Sequence, residues 1–83
     1  MARVTVRFFA RYAELTGCES AAVSIASDAA TVADVLARVR ESVPGAQQLP
    51  ARPLAAINRH QVRLDARVQD GDELALLPPL AGG

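Results

Sequence analysis

Gly82 and Gly83 close the sequence, at the end of the run Pro78-Pro79-Leu80-Ala81-Gly82-Gly83. Glycine has no Cβ, so such a pair can thread a channel too narrow for other residues. A carboxylate on Gly83 is unhindered. That is the shape required where another protein must grip the end of a chain and carry out chemistry on its carboxyl group. The two prolines stiffen the root of the run. Leu80 stands too near the end to join a core, which turns it toward a partner. The competing reading is a frayed terminus without a role. We take 78–83 as an extended tail on a folded body.

Three other groups invite chemistry and are set aside. Cys18 is the single cysteine; a lone cysteine is more often a small buried hydrophobe than a nucleophile, and no activating neighbour flanks it. His60 has no Cys or His at metal-ligand spacing, so a solvated turn histidine is expected and no metal site is assigned. The cluster Asp70-Gly71-Asp72-Glu73 lacks the ligand count of a calcium loop and reads as a turn with an acidic edge.

Composition narrows the classes further. Nine basic and nine acidic residues leave no net charge, and they are interspersed. Without a basic stripe, neither nucleic acid nor an anionic membrane surface is expected as a partner. All nine basic residues are arginine, so no side-chain amine is present to accept an isopeptide bond. One cysteine permits no internal disulfide and fits a reducing compartment. The opening Met1-Ala2-Arg3 leads into a strand pattern rather than a signal peptide. The expected location is cytoplasmic. At 83 residues, 51% hydrophobic and 22% charged, the expectation is one domain over 1–83 with a small core.

Periodicity supplies the elements that must carry the tail. Val4, Val6 and Phe8 alternate with Thr5 and Arg7, predicting a half-buried strand over 4–10. Helix formers over 11–16 followed by Gly17 predict one or two helical turns with a left-handed cap. A second strand over 22–25 follows too soon for a crossover, so it should pair antiparallel with the first. Thr31 as N-cap and Asp34 three residues on resemble a shortened capping box. Val32, Val35, Leu36, Val39 and Val43 then form an apolar helical stripe, with Asp34 and Arg38 on the wet side. Pro44-Gly45 stops this helix, and a Pro/Gln-rich loop over 45–53 is expected. Strands are predicted over 54–57, 62–64 and 73–77, with a turn over 58–61, Val68 as a core anchor and Asp70-Gly71 as a turn. Pro78-Pro79 ends the last strand, because neither can donate to a ladder. Leu74 and Leu76 share one face of that strand. Leu77 either caps the core or stands on the outer sheet face beside Phe9, where it would help form a docking patch.

The motifs carry a resemblance. The opening 6–11, Val-Arg-Phe-Phe-Ala-Arg, with Glu14-Leu15-Thr16-Gly17, resembles that of the ubiquitin-like sulfur carriers. The segments Ala56-Ile57-Asn58 and 70–83 are similar to the end of the molybdopterin synthase small-subunit family. The double proline before a small residue and Gly-Gly is the most diagnostic piece. Family members often carry aromatics where this chain has Leu76 and Leu77.

The resemblance implies an α+β, ubiquitin-like β-grasp fold: a mixed sheet packed on one main helix, with the last strand beside the first. It also implies a mechanism. A ubiquitin-activating-like adenylyltransferase would use ATP to adenylate Gly83, and a separate sulfur donor would displace AMP to leave a thiocarboxylate. Pro78, Pro79, Leu80, Ala81 and Gly82 would thread into the large synthase subunit, with Leu77 and Phe9 docking against it. The sulfur would pass to a cyclic pterin precursor of molybdopterin. No cofactor would be bound by the chain itself, and the catalytic groups would sit on the partners. Sulfur carriers for thiazole, cysteine or tRNA thiolation share the fold and the terminal glycines. A β-grasp interaction module without terminal chemistry is the alternative of a different class.

Overall fold

Strand β1, Ala2–Phe8, buries Ala2, Val4, Val6 and Phe8 and exposes Arg3, Thr5 and Arg7. Its alternation gives the sheet one inner and one outer face. The computed structural model describes residues 1–26 and 29–78; the tail positions Pro79, Leu80, Ala81, Gly82 and Gly83 lie outside the described residues. After β1 the chain reverses through Ala10, at φ 49°, into the short helix α1, Arg11–Thr16. Gly17 ends α1 in the left-handed conformation at φ 73°, as the sequence predicts. Strand β2, Ser20–Ile25, then pairs antiparallel with β1, setting Val4 opposite Val23.

Helix α2, Val32–Ser42, starts with the expected capping box. The Asp34 N–H donates to Thr31 Oγ1 at 3.3 Å, and the Thr31 N–H donates to Asp34 Oδ2 at 2.9 Å. Two further N–H groups of the first turn, on Val32 and Ala33, reach the carbonyls of Ala66 and Leu64, each at 2.9 Å. The helix is thus tied to the irregular 64–68 stretch, where Val68 is buried. Val32, Val35, Leu36, Val39 and Val43 are all buried. At about 1.5–3 kcal/mol for each large side chain removed from water, this stripe is the main attachment of helix to sheet. Arg38 pairs with Glu41 at 3.4 Å, while Asp34 is spent on the cap.

Strands β3, Leu54–Ile57, β4, His60–Val62, and β5, Glu73–Leu77, complete the sheet in the order β2-β1-β5-β3-β4. β5 lies parallel to β1 and antiparallel to β3. The fold is a ubiquitin-like β-grasp, with the last strand beside the first.

Several expectations shift. The first strand runs Ala2–Phe8 rather than 4–10, and the second begins at Ser20 rather than Ala22. The fourth strand begins at His60 rather than Val62. Asn58 and Arg59 both take positive φ, 49° and 75°, making a two-residue reversal whose twist suits a hairpin. His60 therefore pairs with Ile57. The Pro/Gln loop is also more ordered than its composition suggests. Ala46–Gln48 is a 3-10 turn, with Ala46 and Leu49 in the core.

That turn is seated on α1 through Gly45. At φ 85°, a Cβ on Gly45 would run into the Leu15 carbonyl. Gly45→Ala is therefore expected to cost about 2 kcal/mol or more, combining left-handed strain with overpacking. Urea unfolding checks this; an unchanged midpoint would show that the α1 contact yields freely.

Candidate functional site

β5 delivers the tail root from the middle of the sheet. Leu74 and Leu76 are fully buried, and both edges of the strand are paired, to β1 and to β3. Its start is fixed by Asn58, whose side chain accepts from the Glu73 N–H at 3.0 Å and donates to Asp72 Oδ1 at 3.1 Å. The strand ends at Leu77, and the half-buried Pro78 leads away from it. A segment leaving this strand is anchored in the middle of the sheet.

The outer sheet face at the same end is apolar. In β5, Leu74 and Leu76 point to the core, so Ala75 and Leu77 face outward. Leu77 is half-buried and stands opposite Leu54 of β3, which is 38% exposed. Phe8 is level with Leu76 in the parallel β1–β5 pair, and Phe9 follows directly after β1 at this end of the sheet. Phe9 is 37% exposed. Leu77 and Leu54 thus form an apolar pair on the outer face beside the cross-strand partners Ala75 and Ala56, with Phe9 exposed just beyond the end of β1. Of the two placements open for Leu77, the outer face is the one observed.

Arg7 borders this patch. Its guanidinium lies 5.4 Å from the Phe9 ring centroid and 3.9 Å from the Glu73 carboxylate. Both contacts are on solvated side chains and contribute little to stability. What they add is proximity: the Arg7 guanidinium stands between the Phe9 ring and the Glu73 carboxylate. On the other side of the tail root, Arg11, Tyr12, Leu15, Gln48, Pro50 and Pro78 line an open groove of about 440 Å³.

This surface, a central strand ending beside an apolar patch, gains its meaning from comparison with known proteins. The ThiS family model matches residues 6–83. The chain belongs to the ThiS family. It is 37% identical to the molybdopterin synthase sulfur carrier subunit of Escherichia coli, over 96% of this chain and 99% of that protein. Among solved structures, small archaeal modifier protein 1 of Haloferax volcanii superposes with a TM-score of 0.83 at 28% identity, covering 96% of this chain and 100% of that one. A further structural neighbour comes from the complex of subunits 1 and 2 of molybdopterin-converting factor from Helicobacter pylori. It has a TM-score of 0.69 and 27% identity, with 98% and 99% of the two chains covered.

Of the remaining polar candidates of this ThiS-family chain, Cys18 and the acidic cluster have local partners, and His60 faces solvent. Cys18 is half-buried against the core, with its sulfur 3.6 Å from Thr16 Oγ1. His60 is exposed at the start of β4. The acidic cluster is engaged locally: Asp70 accepts from the Arg3 N–H at 2.9 Å, and Asp72 accepts from the Gln69 N–H at 2.7 Å. Leu54 and Arg7 are the additions that sequence reasoning missed. Leu54 was legible as a strand residue, but its place opposite Leu77 depends on a register that only the sheet provides.

Tyr12 is the exception to this pairing. It is 3% exposed, and its hydroxyl has no hydrogen-bond partner among the described residues. Burial pushes the phenol above its ordinary range, against a smaller downward pull from Arg11. A phenol held neutral in the fold costs stability once pH passes the unfolded value near 10, because the unfolded chain then releases the proton first. Tyr12→Phe is expected to raise unfolding free energy by about 1 kcal/mol at neutral pH, since an unsatisfied buried group is removed. It should also flatten the loss of stability above pH 10. Thermal melts across pH check both; a lower melting temperature would mean that the hydroxyl is bonded in solution.

Proposed function

We propose that this ThiS-family chain is the sulfur carrier of molybdopterin synthase, acting through Gly83. The observation that carries the reading is a family match running to residue 83, which takes in Gly82 and Gly83. The Escherichia coli relative's name and the two-subunit Helicobacter pylori complex support both the pathway and a large-subunit partner.

A carboxylate is a poor electrophile. A ubiquitin-activating-like adenylyltransferase spends ATP to join the Gly83 carboxylate to AMP, releasing pyrophosphate. A sulfur donor then displaces AMP and leaves a thiocarboxylate on Gly83. Within the large subunit, the sulfur passes to a cyclic pterin precursor, and the chain leaves with its carboxylate restored. The chain binds no cofactor of its own; ATP belongs to the activating enzyme. Its single thiol, Cys18, suits the reducing cytoplasm.

The body of the chain serves this chemistry by holding and aiming. Five residues over 79–83 reach about 17 Å when extended, enough to enter a neighbour's buried site. Phe9, Leu77 and Leu54 dock against the large subunit beside the point where the tail enters, so binding energy from the sheet face positions the reacting end. Pro78 and Pro79 limit the conformational entropy lost on docking.

The test is reconstitution. Thiocarboxylated chain, a large subunit and the cyclic pterin precursor should together yield the dithiolene product, detected by mass. No product, beside a parallel reaction in which the Escherichia coli carrier works, would assign the chain to another acceptor pathway.

A further inference from the structure

The groove between Arg11 and Pro78 holds two donors that the described fold does not use. Tyr12 lines it, and the Tyr12 hydroxyl is buried without a hydrogen-bond partner. Buried polar groups are nearly always bonded, so one left unmade calls for a reason. Packing does not supply it. The Tyr12 ring belongs to the core cluster, and phenylalanine would fill the same space without the hydroxyl. Arg11 is the next residue back and is exposed. Its guanidinium makes no hydrogen bond or ion pair with another described residue, yet its charge is felt at the phenol. Gln48 is exposed on the same rim, and its side chain is likewise unbonded among the described residues. The rim above the hydroxyl can therefore turn aside. No acidic residue is among the described residues that line the groove.

This donor set selects its ligand. A neutral phenol donates one hydrogen bond and a guanidinium up to five, and the guanidinium accepts none. A carboxylate can accept from both at once, through charge-assisted bonds that are the strong ones. A neutral carbonyl would serve the phenol and leave the Arg11 charge unmatched. Pro78 indicates where such a group comes from. It forms one wall of the groove and is the residue after β5, so a protein that takes up the chain beyond it must approach here.

We propose that this groove receives a carboxylate side chain of the large subunit, held by the Tyr12 hydroxyl and the Arg11 guanidinium. This rests on the reading of the large subunit as the partner. Docking gives the hydroxyl the acceptor it lacks in the free chain, so the group that weakens the fold strengthens the complex.

Tyr12 is the single tyrosine, and the chain has no tryptophan, so phenol signals report this site alone. The first arm of the test uses the chain without a partner. Isotope-labelled chain is titrated with N-acetylglutamic acid α-amide, then with N-acetylglutamine α-amide and with inorganic phosphate, at constant ionic strength. The Tyr12 Cζ and Arg11 Nε resonances should move together and saturate with the carboxylate, and stay in place with the neutral amide. Tyr12→Phe and Arg11→Gln should each weaken this binding at least about fivefold. The second arm is titration calorimetry with the large subunit. Tyr12→Phe should bind about tenfold more weakly, the loss of a hydrogen bond to a charged group, while melting higher than the original chain. A merely structural tyrosine would not show that opposition. No saturable shift with the carboxylate, or tighter saturation by phosphate, would overturn the proposal. So would full affinity of Tyr12→Phe for a large subunit that Leu77→Asp binds weakly. If the original chain binds no large subunit, the partner reading fails, and the first arm alone decides the groove.

Discussion

Deleting Gly83 is expected to abolish sulfur transfer while leaving the melting temperature unchanged. The two halves of that result have separate causes. The hydrophobic core closes at Leu76, and the last sheet pairing involves Leu77, so no described contact of the fold depends on residue 83. In the proposed mechanism the chemistry depends on it entirely. Removing one residue draws the terminal carboxyl back by about 3.4 Å along an extended chain. Displacements of about 1 Å already cost around 100-fold in rate when reacting groups must be aligned. Adenylation and transfer should both fall by at least that factor. Circular dichroism melts with single-turnover transfer assays provide the check. A shortened chain that still transfers sulfur at a comparable rate would mean that the reacting group lies elsewhere.

Leu77→Asp should weaken binding to the large subunit by about 10- to 100-fold, the range of a central apolar contact in an interface. Stability should change by less than about 1 kcal/mol, because the side chain points to the solvent side of the sheet rather than into the core. Leu76→Asp, one residue earlier, is the contrasting case. Its side chain is fully buried, and an unpaired carboxylate there should unfold the chain. Titration calorimetry with the large subunit, beside thermal melts of the same variants, separates the two faces. Intact binding by Leu77→Asp with a large loss of stability would return Leu77 to the core and dissolve the proposed docking patch.

The contrast between neighbours 76 and 77 also marks what the sequence makes legible. Alternation places Leu74 and Leu76 together and Leu77 opposite them, but it leaves open which face is covered. The answer comes from the parallel pairing of β5 with β1, a contact between residues more than sixty positions apart. No local period encodes such a pairing; resemblance supplied it. Local signals did well where local chemistry decides. The Thr31–Asp34 box, the Gly17 cap and the valine stripe of α2 all appear as read.

Composition says less where tertiary contacts decide. Residues 45–53 form a loop as their prolines and glutamines predict, but composition does not show that it carries the 3-10 turn Ala46–Gln48 and sends Ala46 and Leu49 into the core. The start of β4 slipped by two residues because Asn58 and Arg59 tolerate the positive φ of a tight reversal. Of the site, the tail motif was plain from residue types alone. Leu54 and Arg7 were not, since their roles exist only once three strands lie side by side.

The central claim is that Gly83 carries the sulfur, and one measurement addresses it directly. The chain is incubated with ATP, a sulfur source and the activating enzyme, and its intact mass is then determined with fragmentation to place any change. Sulfur carriage predicts a gain equal to one oxygen replaced by sulfur, confined to Gly83. An unchanged mass with every candidate activating enzyme, beside a control carrier that is converted, would contradict it and leave a β-grasp interaction module without chemistry at its end.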